Sequence, residues 1–250
     1  MIKYYCSGFD IDDAFGHGLG EMFKSELKDT KSIVYIPAGE SRVEKAKEKY
    51  IPLFNNYFKN NGIEFENINI ITPDIDSNKA KELINNASFI MLMGGNPFEQ
   101  KEMLQNLNII DELKNYNGIM LGMSAGAMNM SKYIIIVPCS EEYPDFRIEK
   151  GLNLDNLSIY PHVNIDSIEY PEYIDVDGEI TRRDDLIKVA DKYGEFYLLQ
   201  DYKNNNKTDV SIIKSTDGTI EYYTENNGKI WKVTKEGILL CDNKVNIKRK

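Results

Sequence analysis

The chain has 250 residues, 42% of them hydrophobic and 28% charged, which suits one sizeable core and excludes a disordered chain. Its formal net charge of −10 argues against nucleic acids and anionic membranes as partners, because an acidic surface repels phosphate groups. The sequence contains no apolar run of the roughly 18 residues that cross a bilayer, and its N-terminus lacks the features of a signal peptide. We therefore expect a cytoplasmic protein.

The first two thirds of the sequence alternate between short apolar runs and helical stretches. Near-continuous apolar strands separated by helices predict an α/β fold, a doubly wound and mostly parallel sheet with helices on both faces. Strands are expected at 2–6, 32–37, 66–71, 89–93 and 119–121, and helices around 13–27, over 40–60 and 77–85, and up to about 116.

The pattern changes after Gly194, where strands are expected at 196–200, 209–213, 219–224, 229–234 and 238–240. Asp217-Gly218 and Asn227-Gly228 lie between apolar runs, and such dipeptides are typical of hairpin turns. The sequence thus predicts a main α/β domain over residues 1–200 and a C-terminal antiparallel β appendage, a hairpin extension of the same domain, over 201–250. Because edge strands can pair with a second chain, these hairpins could form the interface of a homodimer.

The cysteines do not form a zinc-binding pattern. Cys6, Cys139 and Cys241 are odd in number, far apart and without a CxxC pair. This spacing predicts reduced thiols and does not fit a zinc site. We also expect no other metal and no cofactor.

The segment from Gly118 to Met130 carries the chemistry. A short apolar strand runs into Gly122-Met-Ser124-Ala-Gly126, and a helix-compatible stretch follows. A G-x-S-x-G sequence in this context is typical of a nucleophile elbow, whose tight turn raises the serine hydroxyl above the sheet. Ser124 is therefore the candidate nucleophile.

A serine hydroxyl needs a general base, and the sequence contains only two histidines. His162 ends a short apolar run, which brings it to the sheet rim where the elbow also lies. His17 follows the first strand and is the weaker candidate. We expect His162 to be the base.

A carboxylate should orient the imidazole of the base. The acidic cluster Glu141, Glu142 and Asp145 precedes His162, and Asp166 follows it by four residues. The residues themselves leave this choice open.

An oxyanion hole needs two hydrogen-bond donors. The backbone N–H of Ala125, the residue after the nucleophile, is one candidate. The second is expected from the turn Gly94-Gly95-Asn96, which ends the apolar strand 89–93.

In combination these residues resemble the peptidase E family of serine peptidases, whose wider circle includes cyanophycinase. The matching pieces are Gly94-Gly95-Asn96, the elbow around Ser124, Gly151-Leu152 and Pro161-His162, in the family's order over roughly residues 30 to 200. The resemblance implies a fold similar to class I glutamine amidotransferases, which is flavodoxin-like, and hydrolysis of short peptides through an acyl-enzyme.

The resemblance also implies a role for each candidate. Ser124 would be the nucleophile and His162 the base, with Gly95 and Ala125 as oxyanion donors. Glu142, with Glu141 as its neighbour and substitute, would complete a Ser-His-Glu triad.

Peptidase E proper cleaves after an N-terminal aspartate, whose carboxylate an arginine holds. The segment Gly178-Glu179-Ile-Thr-Arg182-Arg183 resembles that part of the family, which implies an aspartyl dipeptidase with Arg182, aided by Arg183, on the substrate carboxylate. Asn96 is a further candidate for substrate binding. The longer β-rich C-terminus and the residues just after His162 depart from peptidase E, which bears on this specificity more than on catalysis.

Two alternatives remain at this point. An α/β-hydrolase esterase shares G-x-S-x-G, although its histidine normally lies much further along the chain, and no histidine follows His162. The chain could also be a non-catalytic, ligand-binding member of the amidotransferase-like fold.

Overall fold

The computed structural model describes residues 1–9, 15, 18–137, 146–165, 173–176, 179–201, 203–204, 207–208, 210–225, 227–241 and 244–246.

The strands, numbered along the chain, are β1 (Ile2–Cys6), β2 (Ser32–Ala38), β3 (Asn67–Ile70), β4 (Phe89–Gly95), β5 (Ile119–Met123), β6 (Tyr133–Ile136), β7 (Arg147–Lys150), β8 (Ile159–Asn164), β9 (Tyr173–Val176), β10 (Glu179–Arg182), β11 (Phe196–Gln200), β12 (Lys203–Asn204), β13 (Lys207–Thr208), β14 (Val210–Thr216), β15 (Thr219–Glu225), β16 (Ile230–Thr234), β17 (Gly237–Leu240) and β18 (Lys244–Asn246).

The helices are α1 (Leu19–Glu26), α2 (Val43–Lys45), α3 (Ile51–Asn60), α4 (Ser77–Asn85), α5 (Pro97–Asn106), α6 (Ile110–Asn115), α7 (Ala125–Met130) and α8 (Arg183–Tyr193). A 3₁₀ turn, Glu40–Arg42, precedes α2, and a π-helical segment, Ala46–Tyr50, joins α2 to α3.

The central sheet has the strand order β18-β15-β14-β1-β5-β4-β2-β3. Strands β1, β5, β4, β2 and β3 are parallel to one another, and β14 pairs with β1 in the antiparallel sense. The predicted strands at 32–37, 89–93 and 119–121 are therefore neighbours in one parallel sheet, which confirms the expected α/β fold.

Helices cover both faces of this sheet because its strands are apolar on both sides. In β2, Ile33 and Tyr35 pack on the face of α1 and α3, whereas Val34 and Ile36 pack on the face of α4, α5, α6 and α7. All four side chains are fully buried. This alternation follows from the two-residue period of a strand.

A second sheet has the order β10-β9-β8-β11-β16-β17, in which β8 and β11 are parallel. Ile159 of β8 and Leu199 of β11 join the hydrophobic cluster that includes Tyr5 and Met120 of the central sheet. The other side of the second sheet packs on α8, through Leu186 and Phe196 among others. The two sheets thus share one core.

The strands expected after residue 195 are present and contribute to both sheets. The hairpin β14–β15 extends the central sheet beside β1, and the hairpin β16–β17 pairs with β11. Within the described part of the chain, no helix is long and apolar enough to cross a membrane.

Candidate active site

Ser124 lies in the turn between β5 and α7, with φ 50° and ψ −113°. Its backbone N–H donates to the carbonyl of Cys6 at the end of the neighbouring strand β1, at 2.8 Å. A Cβ on Gly126 would stand 2.1 Å from the carbonyl oxygen of Leu92, so only glycine allows α7 to approach β4 this closely. The strand, the strained turn and the close helix form the predicted elbow.

His162 lies in β8, and its backbone has φ 62°. The pairing of β8 with β11 shifts at this point, because Tyr160 lies opposite Leu198 whereas Val163 lies opposite Gln200. One extra residue on β8 is a β-bulge, a feature that redirects side chains at the ends of sheets. The bulge places the imidazole against the elbow of the other sheet.

Hydrogen bonds connect three side chains in a row. Ser124 Oγ lies 2.7 Å from His162 Nε2, and His162 Nδ1 lies 2.7 Å from Asp201 Oδ2. The His162 side chain is 32% exposed and that of Asp201 13% exposed, so the carboxylate is shielded while the imidazole faces solvent. The arrangement brings together a hydroxyl, a base and an acid in the geometry of a hydrolytic triad.

Asp201 was not expected from the sequence. This residue directly follows β11, which is the parallel neighbour of β8, and parallel strands bring their carboxyl ends to the same edge of a sheet. The strand 196–200 was expected, but its pairing with the strand of His162 was not. The feature of the sequence that could have identified Asp201 is an acidic residue directly after a predicted strand.

The predicted oxyanion turn lies beside the nucleophile. A Cβ on Gly94 would stand 3.4 Å from the Cβ of Ser124, in van der Waals contact. Ala125 begins α7, and the first N–H groups of a helix have no acceptor within that helix. Asn96 caps α5, since its Oδ1 accepts from the N–H groups of Phe98 and Glu99 at 2.9 and 3.2 Å.

The four predicted acids, Glu141, Glu142, Asp145 and Asp166, lie outside the described residues, as does His17. Arg182 is exposed and occupies the N-cap position of α8 without a capping hydrogen bond from its side chain, and Arg183 begins that helix. Neither arginine is among the described residues that line the cavity beside Ser124.

That cavity has a volume of about 300 Å³. Gly94, Gly95, Ser124 and His162 border it, and the chain from Ala46 to Tyr57 closes the side away from the sheet. Ser124 and His162 therefore open onto a space large enough for part of a substrate.

The thiol of Cys6 lies close to this site without forming a second nucleophile. Its Sγ donates to the carbonyl of Gly8 at 3.0 Å, and the side chain is fully buried. Burial, with the charge of Asp201 nearby, raises the pKa of this thiol well above its usual range. Cys6 therefore stays protonated.

The sequence pattern of peptidase family S51 matches residues 7–207. Among solved structures, a peptidase from an acI-B1 Actinobacterium is similar with a TM-score of 0.57 and 17% identity, over 96% of this chain and 93% of that one. A protein from Listeria monocytogenes EGD-e assigned to peptidase E has a TM-score of 0.56 and 14% identity, over 90% of this chain and 100% of that one. No sequence among the curated proteins matches the chain.

Proposed function

Because the chain belongs to peptidase family S51 and is a serine-type peptidase, we propose that Ser124, His162 and Asp201 are its catalytic triad. The row of two hydrogen bonds from Ser124 through His162 to Asp201 carries this proposal. In it, the enzyme hydrolyses short peptides through an acyl-enzyme.

Each residue has a defined task in this mechanism. Asp201 accepts a hydrogen bond from the protonated Nδ1 of His162, which leaves Nε2 to take the proton of Ser124 as its Oγ attacks the scissile carbonyl. His162 then passes that proton to the leaving amine, and a water molecule attacks the acyl-enzyme by the same route in reverse. Asp201 remains ionised and stabilises the imidazolium.

The developing negative charge on the carbonyl oxygen needs donors that are already in position. The N–H groups of Ala125 and Gly95 are the proposed pair. The contact between Gly94 and Ser124 supports this role, because it brings the glycine turn to the side of the nucleophile.

The first prediction tests the triad. Ser124→Ala should lower kcat by at least about 10⁴-fold, and Asp201→Asn by about 10³- to 10⁴-fold, because Asn favours the wrong imidazole tautomer. The assay is cleavage of a dipeptide panel, with thermal melts to verify folding. Glu142→Gln is the matched comparison, since Glu142 was the acid expected from the family resemblance. If Glu142→Gln abolishes turnover and Asp201→Asn does not, the proposed acid is wrong.

Three properties beyond the triad are also predicted from the sequence. Preference for an N-terminal aspartate through Arg182 and Arg183 is a prediction about substrate, and a cytoplasmic location and a homodimer are predictions about the protein in the cell. Comparing Asp-Ala with Ala-Ala as substrates of wild type and of Arg182→Ala decides the first of these.

A further inference from the structure

We propose that the cavity beside Ser124 binds a large apolar side chain, aromatic or aliphatic, on the residue whose carbonyl is cleaved. This inference rests on the proposed function and names its substrate class. At that position of the substrate we expect residues such as phenylalanine and leucine instead of aspartate.

The walls of the cavity are apolar. Phe9, Phe54 and Met93 line it and are themselves 9%, 4% and 3% exposed, and the half-buried Leu53 lines it as well. Burial of apolar surface is favourable in proportion to the area removed from water. A side chain that fills this space therefore gains binding free energy from its contact with these apolar residues.

The aromatic walls are held in place by one another. The rings of Phe9 and Phe54 lie edge to face with centroids 6.3 Å apart, and Tyr50 stacks on Phe54 at 6.4 Å. Such pairs are preferred ring arrangements in protein interiors. The cavity is thus already formed, and its volume of about 300 Å³ is at the small end of ligand sites, which suits a single large side chain.

The charges of the lining do not favour a buried carboxylate. Among the described lining residues, Arg42 is the only one with a side chain that is charged at every ordinary pH, and it is exposed. An aspartate side chain placed among Phe54, Leu53 and Met93 would lose its hydration without a buried partner. Arg42 at the mouth would be screened by solvent, and exposed ion pairs contribute little.

The position of the cavity assigns it to the acyl side of the scissile bond. Gly94 and Gly95 border the cavity, and the carbonyl oxygen of the substrate lies next to them in the proposed mechanism. Ser124, which bonds to the acyl carbon, borders the cavity as well. The leaving amine departs towards Nε2 of His162, which protonates it. The side chain attached next to the bonded carbonyl is therefore the one that we assign to the cavity.

The experiment measures kcat/KM for Phe-Ala, Leu-Ala, Ala-Ala and Asp-Ala, and for the reversed peptides Ala-Phe and Ala-Leu. Phe-Ala or Leu-Ala should exceed Ala-Ala by about tenfold or more, and Asp-Ala should be the poorest substrate. Leu53→Trp fills the cavity and should lower the ratio of Phe-Ala to Ala-Ala by about tenfold. Asn56→Trp is the control, because Asn56 lies exposed on the same helix α3. Ratios within one variant are independent of the folded fraction.

Several outcomes would overturn the proposal. Preference for Ala-Phe over Phe-Ala would assign the cavity to the leaving group. Preference for Asp-Ala that is lost in Arg42→Gln would make Arg42 the specificity determinant. Either result leaves the Ser124 triad intact, whereas an enzyme that cleaves none of the peptides contradicts the proposed function as well.

Discussion

Ser124 and His162, the two residues that exchange a proton in the proposed mechanism, both have positive φ, at 50° and 62°. Residues other than glycine rarely adopt this conformation, and each instance costs roughly 1–3 kcal/mol. In Ser124 the cost is opposed by the hydrogen bond to Cys6, and in His162 by the pairing of β8 with β9 and β11. At both residues the strained backbone sets the direction of a side chain that the proposed mechanism uses.

Gly8 leaves room for the candidate acid. A Cβ at this position would stand 2.8 Å from Oδ2 of Asp201, the same oxygen that contacts His162. Gly8→Ala should therefore displace the carboxylate and lower kcat by roughly 10- to 100-fold, since one carboxylate orients the imidazole. Kinetics on the best dipeptide, with the melting temperature, provide the measurement.

Gly218→Ala provides the contrast for Gly8→Ala. Gly218 has φ 85°, and a Cβ added to it would meet no atom within 4 Å, so alanine there is strained without touching the site. It should lower the melting temperature and leave kcat unchanged. Equal kcat for Gly8→Ala and wild type would contradict the role assigned to Gly8.

At the scale of elements, two buried amides connect the strand ends that surround the nucleophile. Gln100 of α5 donates from Nε2 to the carbonyls of Ile36, Pro37 and Met93, at 3.1, 3.3 and 3.2 Å. Asn129 of α7 donates from Nδ2 to Oε1 of Gln100 at 3.0 Å. The network fixes the end of β4, where the oxyanion turn begins.

Asn129 extends this network to the elbow itself. Its Nδ2 also contacts the carbonyls of Ala125 and Pro97, at 3.1 and 2.9 Å. The two proposed oxyanion segments therefore share one buried amide pair.

Gln100→Leu should lower the free energy of unfolding by about 1–3 kcal/mol, because buried carbonyls lose their donor. It should also lower kcat by about tenfold, since the turn at Gly95 and the start of α7 are then less well positioned. Denaturant unfolding and steady-state kinetics measure the two effects. Gln105→Leu, exposed on the same helix, should change neither. A Gln100→Leu enzyme with normal kcat would show that the network is only structural.

Local patterns predicted much of this molecule. The apolar runs of β2, β4 and β5 and the G-x-S-x-G motif are contiguous in sequence, so the parallel sheet and Ser124 could be read directly. The scarcity of histidines made His162 the expected base, and that role remains a prediction. Asp201 could not be found in this way, because its place depends on the pairing of β8 with β11, two strands far apart in the chain.

The buried amides Gln100 and Asn129 were not predicted for a related reason. A glutamine and an asparagine in helical stretches normally face solvent, and only the packing of α5 and α7 on the sheet reveals that both are buried. The cavity likewise combines residues from several distant segments.

At the scale of the whole molecule, a buried ion pair connects the central sheet to the segment that leads into the second sheet. Lys3 of β1 contacts Asp155, and the hydroxyl of Tyr5 donates to the same carboxylate at 2.8 Å. The side chains of Lys3 and Asp155 are 8% and 5% exposed. Burial, together with Asp155, raises the pKa of Tyr5 well above its usual range, so the phenol remains a donor.

Asp155→Asn should destabilise the fold by about 3–5 kcal/mol, because Lys3 is left buried with an uncompensated charge. Denaturant unfolding followed by the fluorescence of Trp231, the single tryptophan, measures this. Asp217→Asn is the control, because the side chain of Asp217, which pairs with the N-terminus, is 85% exposed. This substitution should change the free energy of unfolding by less than about 0.5 kcal/mol. A similar loss of unfolding free energy in the two variants would contradict a stabilising role for the buried pair of Lys3 and Asp155.

The antiparallel pairing of β14 with β1 has a consequence for synthesis of the protein. During translation Ser124 emerges well before Asp201. Strand β14, the antiparallel neighbour of β1, is made later still. We expect a nascent chain that ends before β11 to hold a serine without an oriented base, and therefore no hydrolytic activity. The order of residues along the chain thus delays assembly of the proposed triad until β11 has been made.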